Sequence, residues 1–108
     1  MAIEFEIQQL RQVTGEGRLH WHPHALARLL ERGVSRREIV SAILHGEIIE
    51  KYPMHRPYPS CLIFGNDEEP LHVVAAVDSV ARIGHVITAY RPDLEHFDTD
   101  FKTRRPKP

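Results

Sequence analysis

Eight histidines in 108 residues are the first chemistry this chain offers. Imidazole titrates near pH 6.5, so it can move protons close to neutrality and, when neutral, ligate a metal. Two placements stand out. His24 lies in HPHALARLLERG, where about 100° of turn per residue gathers it with Arg28 and Glu31 away from the leucines, with Arg32 at the edge. His72 lies in the apolar run LHVVAAV, where strand alternation gives it a face shared with Val74 and Ala76, opposite Leu71, Val73 and Ala75. Thr88 and Tyr90 share a face of the last apolar run, and Arg91 follows them. A phosphodiester cleaved through its own 2′-hydroxyl needs a base, an acid and cations on the phosphoryl oxygens. His24 and His72 would serve as acid and base, with Tyr90 assisting. Arg28 would join them at the phosphate, and Arg32, Thr88, Arg91, Arg104 and Arg105 would hold substrate. This mechanism requires His24 and His72 to face one concave surface. The competing expectation for His72 is a half-buried histidine satisfied within the fold.

His20, His22 and His24 alternate, and an H-x-H-x-H run can bind zinc when its imidazoles converge. Pro23 starts a helix between His22 and His24, and no cysteine pair or carboxylate pattern completes a tetrahedral site. No metal and no other cofactor is therefore expected, and a zinc-binding protein is the weakest reading. His55 and His96 fall in loops. Cys61 is read as core, and a lone cysteine excludes an internal disulfide and fits a reducing cytoplasm. No P-loop, G-x-S-x-G elbow or papain-like site occurs. No stretch approaches the roughly 18 apolar residues of a membrane span, and the acidic N-terminus does not resemble a signal peptide, so a cytoplasmic protein without membrane contact is expected. Net charge is −1, which excludes a global basic field for nucleic acid. Locally, residues 18–37 carry five arginines against Glu31, 5 − 1 = +4, and Lys102, Arg104, Arg105 and Lys107 form a second basic cluster.

The elements that must position these groups are read as one domain over 1–108. Residues 1–17 form an N-terminal helix and turn, with Gly15 and Gly17 as punctuation, and Arg18–His22 is a linker. A helix opens at Pro23, buries Ala25, Leu26, Leu29 and Leu30, and ends at Gly33. Ser35-Arg36-Arg37-Glu38 has capping-box form, so a second helix begins at Arg36, with stripe Ile39, Val40, Ala42 and Ile43 and a stop at Gly46. Residues 18–46 are thus a helical hairpin. Glu47–Tyr52, Ser60–Phe64, Leu71–Val77 and His85–Tyr90 read as strands of an antiparallel sheet over 47–91, with Pro53–Pro59 a stiff loop. Residues 92–108 turn acidic and aromatic, then basic, with a frayed end. The fold class is α+β: two or three N-terminal helices on one face of a three- to four-stranded antiparallel sheet.

HALARLLERGVS, GEIIEKYP, PSCLIFG, PLHVVAAV and VITAYRPD, in that order over about His24 to Arg105, resemble the small bacterial proteins grouped as domain-of-unknown-function family 4258. That family looks related to the RelE-like and barnase/colicin-type ribonuclease fold. The resemblance implies a toxin-type, metal-independent endoribonuclease whose partners are RNA, ribosome-associated RNA included, and an antitoxin protein. The polar positions of the family pattern fall on His24, Arg28, Arg32, Tyr52, His72, Thr88 and Tyr90, and Phe97 stands where family members often carry tryptophan. The alternative from another class is a non-catalytic module that pairs with a protein or a nucleic acid.

Overall fold

Pro23 and Ser35 open two sharply bounded helices in the computed structural model, which describes residues 7–106. Helix α1 spans Ile7–Gly15, so the start of the expected N-terminal helix, residues 1–6, lies outside the described residues. Helix α2 spans Pro23–Arg32 and closes on Gly33, whose φ of 66° is left-handed and whose N–H reaches the carbonyls of Leu29 and Leu30. Helix α3 spans Arg36–His45, and the Ser35 hydroxyl accepts the Glu38 N–H at 3.1 Å. The capping box is half made, because the Glu38 carboxylate reaches Arg91 instead. Gly46 then lets the chain turn directly into a strand. A Cβ there would collide with the carbonyl oxygen of Ala42 and lie 2.6 Å from that of Phe64.

The strands are β1 (Leu19–Trp21), β2 (Glu47–Tyr52), β3 (Ser60–Gly65), β4 (Leu71–Asp78) and β5 (Ile83–Tyr90), in sheet order β1-β5-β4-β3-β2. The antiparallel meander β2 to β5 follows the expectation. The linker expected at Arg18–His22 does not: three of its residues form an edge strand parallel to β5, pairing Leu19 with Gly84, His20 with His85 and Trp21 with Val86. The sheet therefore has five strands and is mixed, not three- or four-stranded and antiparallel. A three-residue strand is too short to show alternation, and its partner is remote in sequence. Gly84 permits the close approach, since a Cβ there would lie 2.6 Å from Leu19 Cδ2 and 3.0 Å from Leu10 Cδ1.

Leu71, Val73, Ala75 and Val77 join Cys61, Ile63, Val86 and Ala89 beneath Leu10, Val13, Leu29, Ile39 and Ile43, so the alternation read for β4 assigns its core face correctly. Leu30 departs from expectation at 83% exposure. Helix α2 packs chiefly on β5, next to the sheet edge, which covers only the narrower stripe of Ala25, Leu26 and Leu29. The opposite sheet face carries Ser60, Leu62, His72 and Ala76, all buried. Part of that cover is the C-terminal segment. Phe97 is buried and bridges to Arg104, with Asp98 N–H on Thr103 O and Arg105 N–H on His96 O, each at 2.8 Å. The C-terminal segment is thus tied down through Arg105, and of the end expected to fray, residues 107–108 lie outside the described residues.

Candidate functional site

The structure does not assemble His24 with His72. His72 is wholly buried. Its Nε2 lies 2.6 Å from the carbonyl oxygen of Phe101, which can only accept, so Nε2 carries the hydrogen. Nδ1 is then the acceptor for the Tyr90 hydroxyl at 3.3 Å. The rings of Phe97, Tyr90 and Phe64 meet it edge-on at 4.5, 5.3 and 6.1 Å. Burial, more than any charge, holds the His72 pKa below the ordinary imidazole range, against the pull of the Phe101 carbonyl. Burial likewise raises the Tyr90 phenol. A sealed imidazole with both nitrogens engaged meets no phosphate, and His24 stands exposed in the first turn of α2. The acid–base pair read from sequence is corrected accordingly, and Tyr90 serves His72.

The cations fare similarly. Arg32 and Thr88 are brought together, but to tie α2 to β5: one guanidinium nitrogen of Arg32 donates to Ala89 O at 2.7 Å and to Thr88 Oγ1 at 3.3 Å. Arg91 pairs with Glu38 at 2.5 Å and Glu69 at 3.4 Å. Arg104 grips both carboxylate oxygens of Glu50, at 2.6 and 3.1 Å, and Arg105 binds Phe97 O and Asp98. The hydrogen bond from Arg104 is the main cause lowering the Glu50 pKa. Tyr52, whose hydroxyl bonds the same carboxylate, is pushed up to about 12, first by burial and then by Glu50. The expected substrate clamp of Arg91, Arg104 and Arg105 is thus engaged internally: Arg91 by α3 and the β3–β4 turn, Arg104 by β2, and Arg105 within the C-terminal segment. Arg28 is exposed on α2.

A different group converges. His22 caps α2 with extended dihedrals (φ −65°, ψ 140°), so it continues the alternation of β1 and returns to the face of His20. Their rings stack at 4.3 Å and 16°. Parallel pairing sets His85 directly beside His20, with its ring 5.6 Å from His20 and 5.5 Å from His22. Nε2 of His22 lies 3.3 Å from Nδ1 of His85, and one nitrogen from each of the three rings lies within 4.8 Å of the others. Tyr58 leaves the proline-rich loop to stack on His85 at 5.1 Å and 11°. Asp78, whose carboxylate accepts the N–H groups of Val80 and Ala81 at 3.0 Å, raises the Tyr58 phenol pKa. Burial first, then the neighbouring His20 and His22, lower the His85 pKa. His20 and His22 are exposed and His85 half-buried, so solvent reaches the cluster. Sequence reasoning missed His85, which looks like any strand residue until β1 is known to lie beside it. The H-x-H spacing was the only signal available.

Such a cluster can hold one imidazole as base beside another as acid, or converge on a metal ion. Among the described residues a second convergent set, Asp93, Glu95 and His96, is fully exposed and belongs to a local turn in which Asp93 accepts from the His96 ring and two backbone N–H groups. A cleft lined by Arg37, Glu38, Ser41, Asp67, Glu69 and Arg91 contains no histidine.

Among the described residues no helix is long and apolar enough to cross a membrane. No curated protein and no solved structure gives a significant match. The family model described as Domain of unknown function (DUF4258) matches residues 21–91, which includes α2, α3, β2 to β5 and both His22 and His85, while His20 immediately precedes it. Because the match spans more than half of the chain, the protein belongs to the DUF4258 family.

Proposed function

We propose that this protein is a toxin-type, metal-independent endoribonuclease of RelE-like architecture, with His22 and His85 as its proton-transfer pair. The observation that carries the reading is the 3.3 Å approach of His22 Nε2 to His85 Nδ1 in a solvent-reached cluster. His85, its pKa depressed, is neutral at pH 7 and takes the proton of the RNA 2′-hydroxyl. O2′ attacks phosphorus as the bond to O5′ breaks, and protonated His22 delivers its proton to O5′. The products are a 2′,3′-cyclic phosphate and a 5′-hydroxyl, with the abstracted proton left on His85. His20 beside His22 and His85 shares the phosphoryl charge when protonated. His24 and Arg28, exposed on the helix that His22 caps, contact the RNA backbone. An antitoxin partner and ribosome-associated RNA belong to the same proposal through the family resemblance, and a cytoplasmic setting belongs to it through the lone cysteine.

The test is cleavage of a mixed RNA pool, free and on ribosomes, with folding checked by thermal melt. His22→Ala and His85→Ala should each lose on the order of 10²–10⁴ in rate, with cyclic phosphate at the wild-type cut ends. His24→Ala should lose far less. Equal cleavage by wild type and His85→Ala would refute the assignment. A non-catalytic interaction module accounts better for one observation, the internal pairing of Arg91, Arg104 and Arg105. Folded wild-type protein that cleaves neither free nor ribosomal RNA would favour that module.

A further inference from the structure

We infer that His20, His22 and His85 form a binding site for a divalent late transition metal, with Zn²⁺ the expected ion. A tetrahedral site with metal–nitrogen bonds of about 2.0–2.1 Å needs its nitrogens roughly 3.3–3.4 Å apart. His22 Nε2 and His85 Nδ1 already stand at 3.3 Å. The third nitrogen, from His20, lies within 4.8 Å of both and closes by rotation of an exposed side chain, a movement of about 1.5 Å at most.

The ligand positions rest on regular backbone. His20 and His22 are two residues apart on extended chain, and the parallel ladder fixes His85 opposite His20. Tyr58 stacked on His85 holds that ring's plane, and the Asp78 carboxylate, whose negative charge acts on His85, favours a cation nearby. The donor set selects the class of ion. Three imidazole nitrogens suit Zn²⁺, Co²⁺, Ni²⁺ or Cu²⁺, whereas Mg²⁺ and Ca²⁺ require oxygen ligands. Cys61 contributes nothing, being buried on the helix side of the sheet. The fourth position stays open to solvent. The set differs from the alternating His20, His22 and His24 run of the zinc-binding reading, because His24 departs with α2 and His85 replaces it.

Metal binding does not depend on the ribonuclease reading, and the two compete for the same nitrogens. An ion that takes the lone pairs of His22 and His85 leaves neither available for proton transfer.

The experiment titrates Co²⁺ into metal-stripped, tag-free full-length protein at pH 7.5. Saturation at one equivalent should replace the pale pink of hydrated Co²⁺ with the intense blue-green visible bands of a four-coordinate ion, and Zn²⁺ should displace it. His22→Ala and His85→Ala each remove a ligand and should weaken binding by more than the roughly tenfold to hundredfold that loss of an outer-shell partner costs a metal site, while His24→Ala and His96→Ala bind like wild type. His22 makes no side-chain capping bond, so its replacement leaves α2 folded and keeps the test valid even where His85→Ala is unstable. Zn²⁺ should raise the Tm of wild type and not that of His22→Ala. Absence of a saturable band, a band that survives both His22→Ala and His85→Ala, or a band lost in His96→Ala would overturn the inference.

Discussion

Replacing His72 with phenylalanine distinguishes a sealed structural imidazole from a catalytic one by the pH at which the loss is felt. Phenylalanine is close to isosteric with the ring and can keep its edge-on contacts with Phe97 and Tyr90. It cannot donate to the Phe101 carbonyl, which sits 2.6 Å from Nε2 in the wild type. Leaving a buried carbonyl without that donor costs roughly 1–3 kcal/mol, and this is the gap expected at pH 7.5. The gap then shrinks on acidification. The folded-state pKa of His72 is depressed by burial, whereas in the unfolded chain it is about 6.5. Above pH 6.5 neither state holds the proton and the wild type has its full stability. Below it the unfolded chain gains a proton that the folded one refuses, so wild-type stability falls toward the folded pKa with a slope of up to about 1.4 kcal/mol per pH unit. The phenylalanine variant has no such term. Relative to pH 7.5, the gap should therefore close by up to about 1.4 kcal/mol at pH 5.5. His85, also depressed, is present in both proteins and cancels. Urea melts of both proteins across pH 5–8 measure the gap directly. A constant gap would refute the picture of a neutral, desolvated His72. Loss of RNA cleavage by folded His72→Phe would restore it to the catalytic set.

Arg104→Ala should lower stability by roughly 0.5–1.5 kcal/mol, a modest loss because Arg104 is half exposed although Glu50 is largely covered. Thermal melts give that loss, and filter binding across a salt series should show an RNA salt slope unchanged from wild type; a flatter slope would return Arg104 to the RNA interface. Gly33→Ala should cost about 1 kcal/mol, the penalty of a left-handed residue at φ 66° with open space around it. Gly46→Ala should cost more, roughly 2–4 kcal/mol, because the new methyl would meet backbone carbonyls of both α3 and β3. Denaturant midpoints rank the two, and the reverse order would refute the close-packing account of Gly46.

What could be read from the sequence was local. Helices α2 and α3 announce themselves through Pro23, Gly33, Ser35 and Gly46, because caps and stops act within one turn of the chain. The four meander strands follow from short β-prone runs bounded by proline, glycine and acidic turns, and the faces of β4 from alternation. Even the departure of His24 from His20 and His22 was visible in the proline between them. The rest depended on partners distant in sequence. Strand β1 is too short for a pattern, and only its parallel docking on β5 gives His20 a neighbour in His85. His72 was placed on the correct face, yet its burial comes from Phe97 and Phe101, residues of a segment with no regular periodicity. Arg91 and Arg104 read as free cations until the fold sets Glu38 and Glu50 against them. Periodicity and capping encode which face each residue takes, since backbone geometry repeats over a few residues. Which surfaces then meet is decided by sheet order and by the path of the C-terminal segment, and those contacts selected the three histidines that share one site.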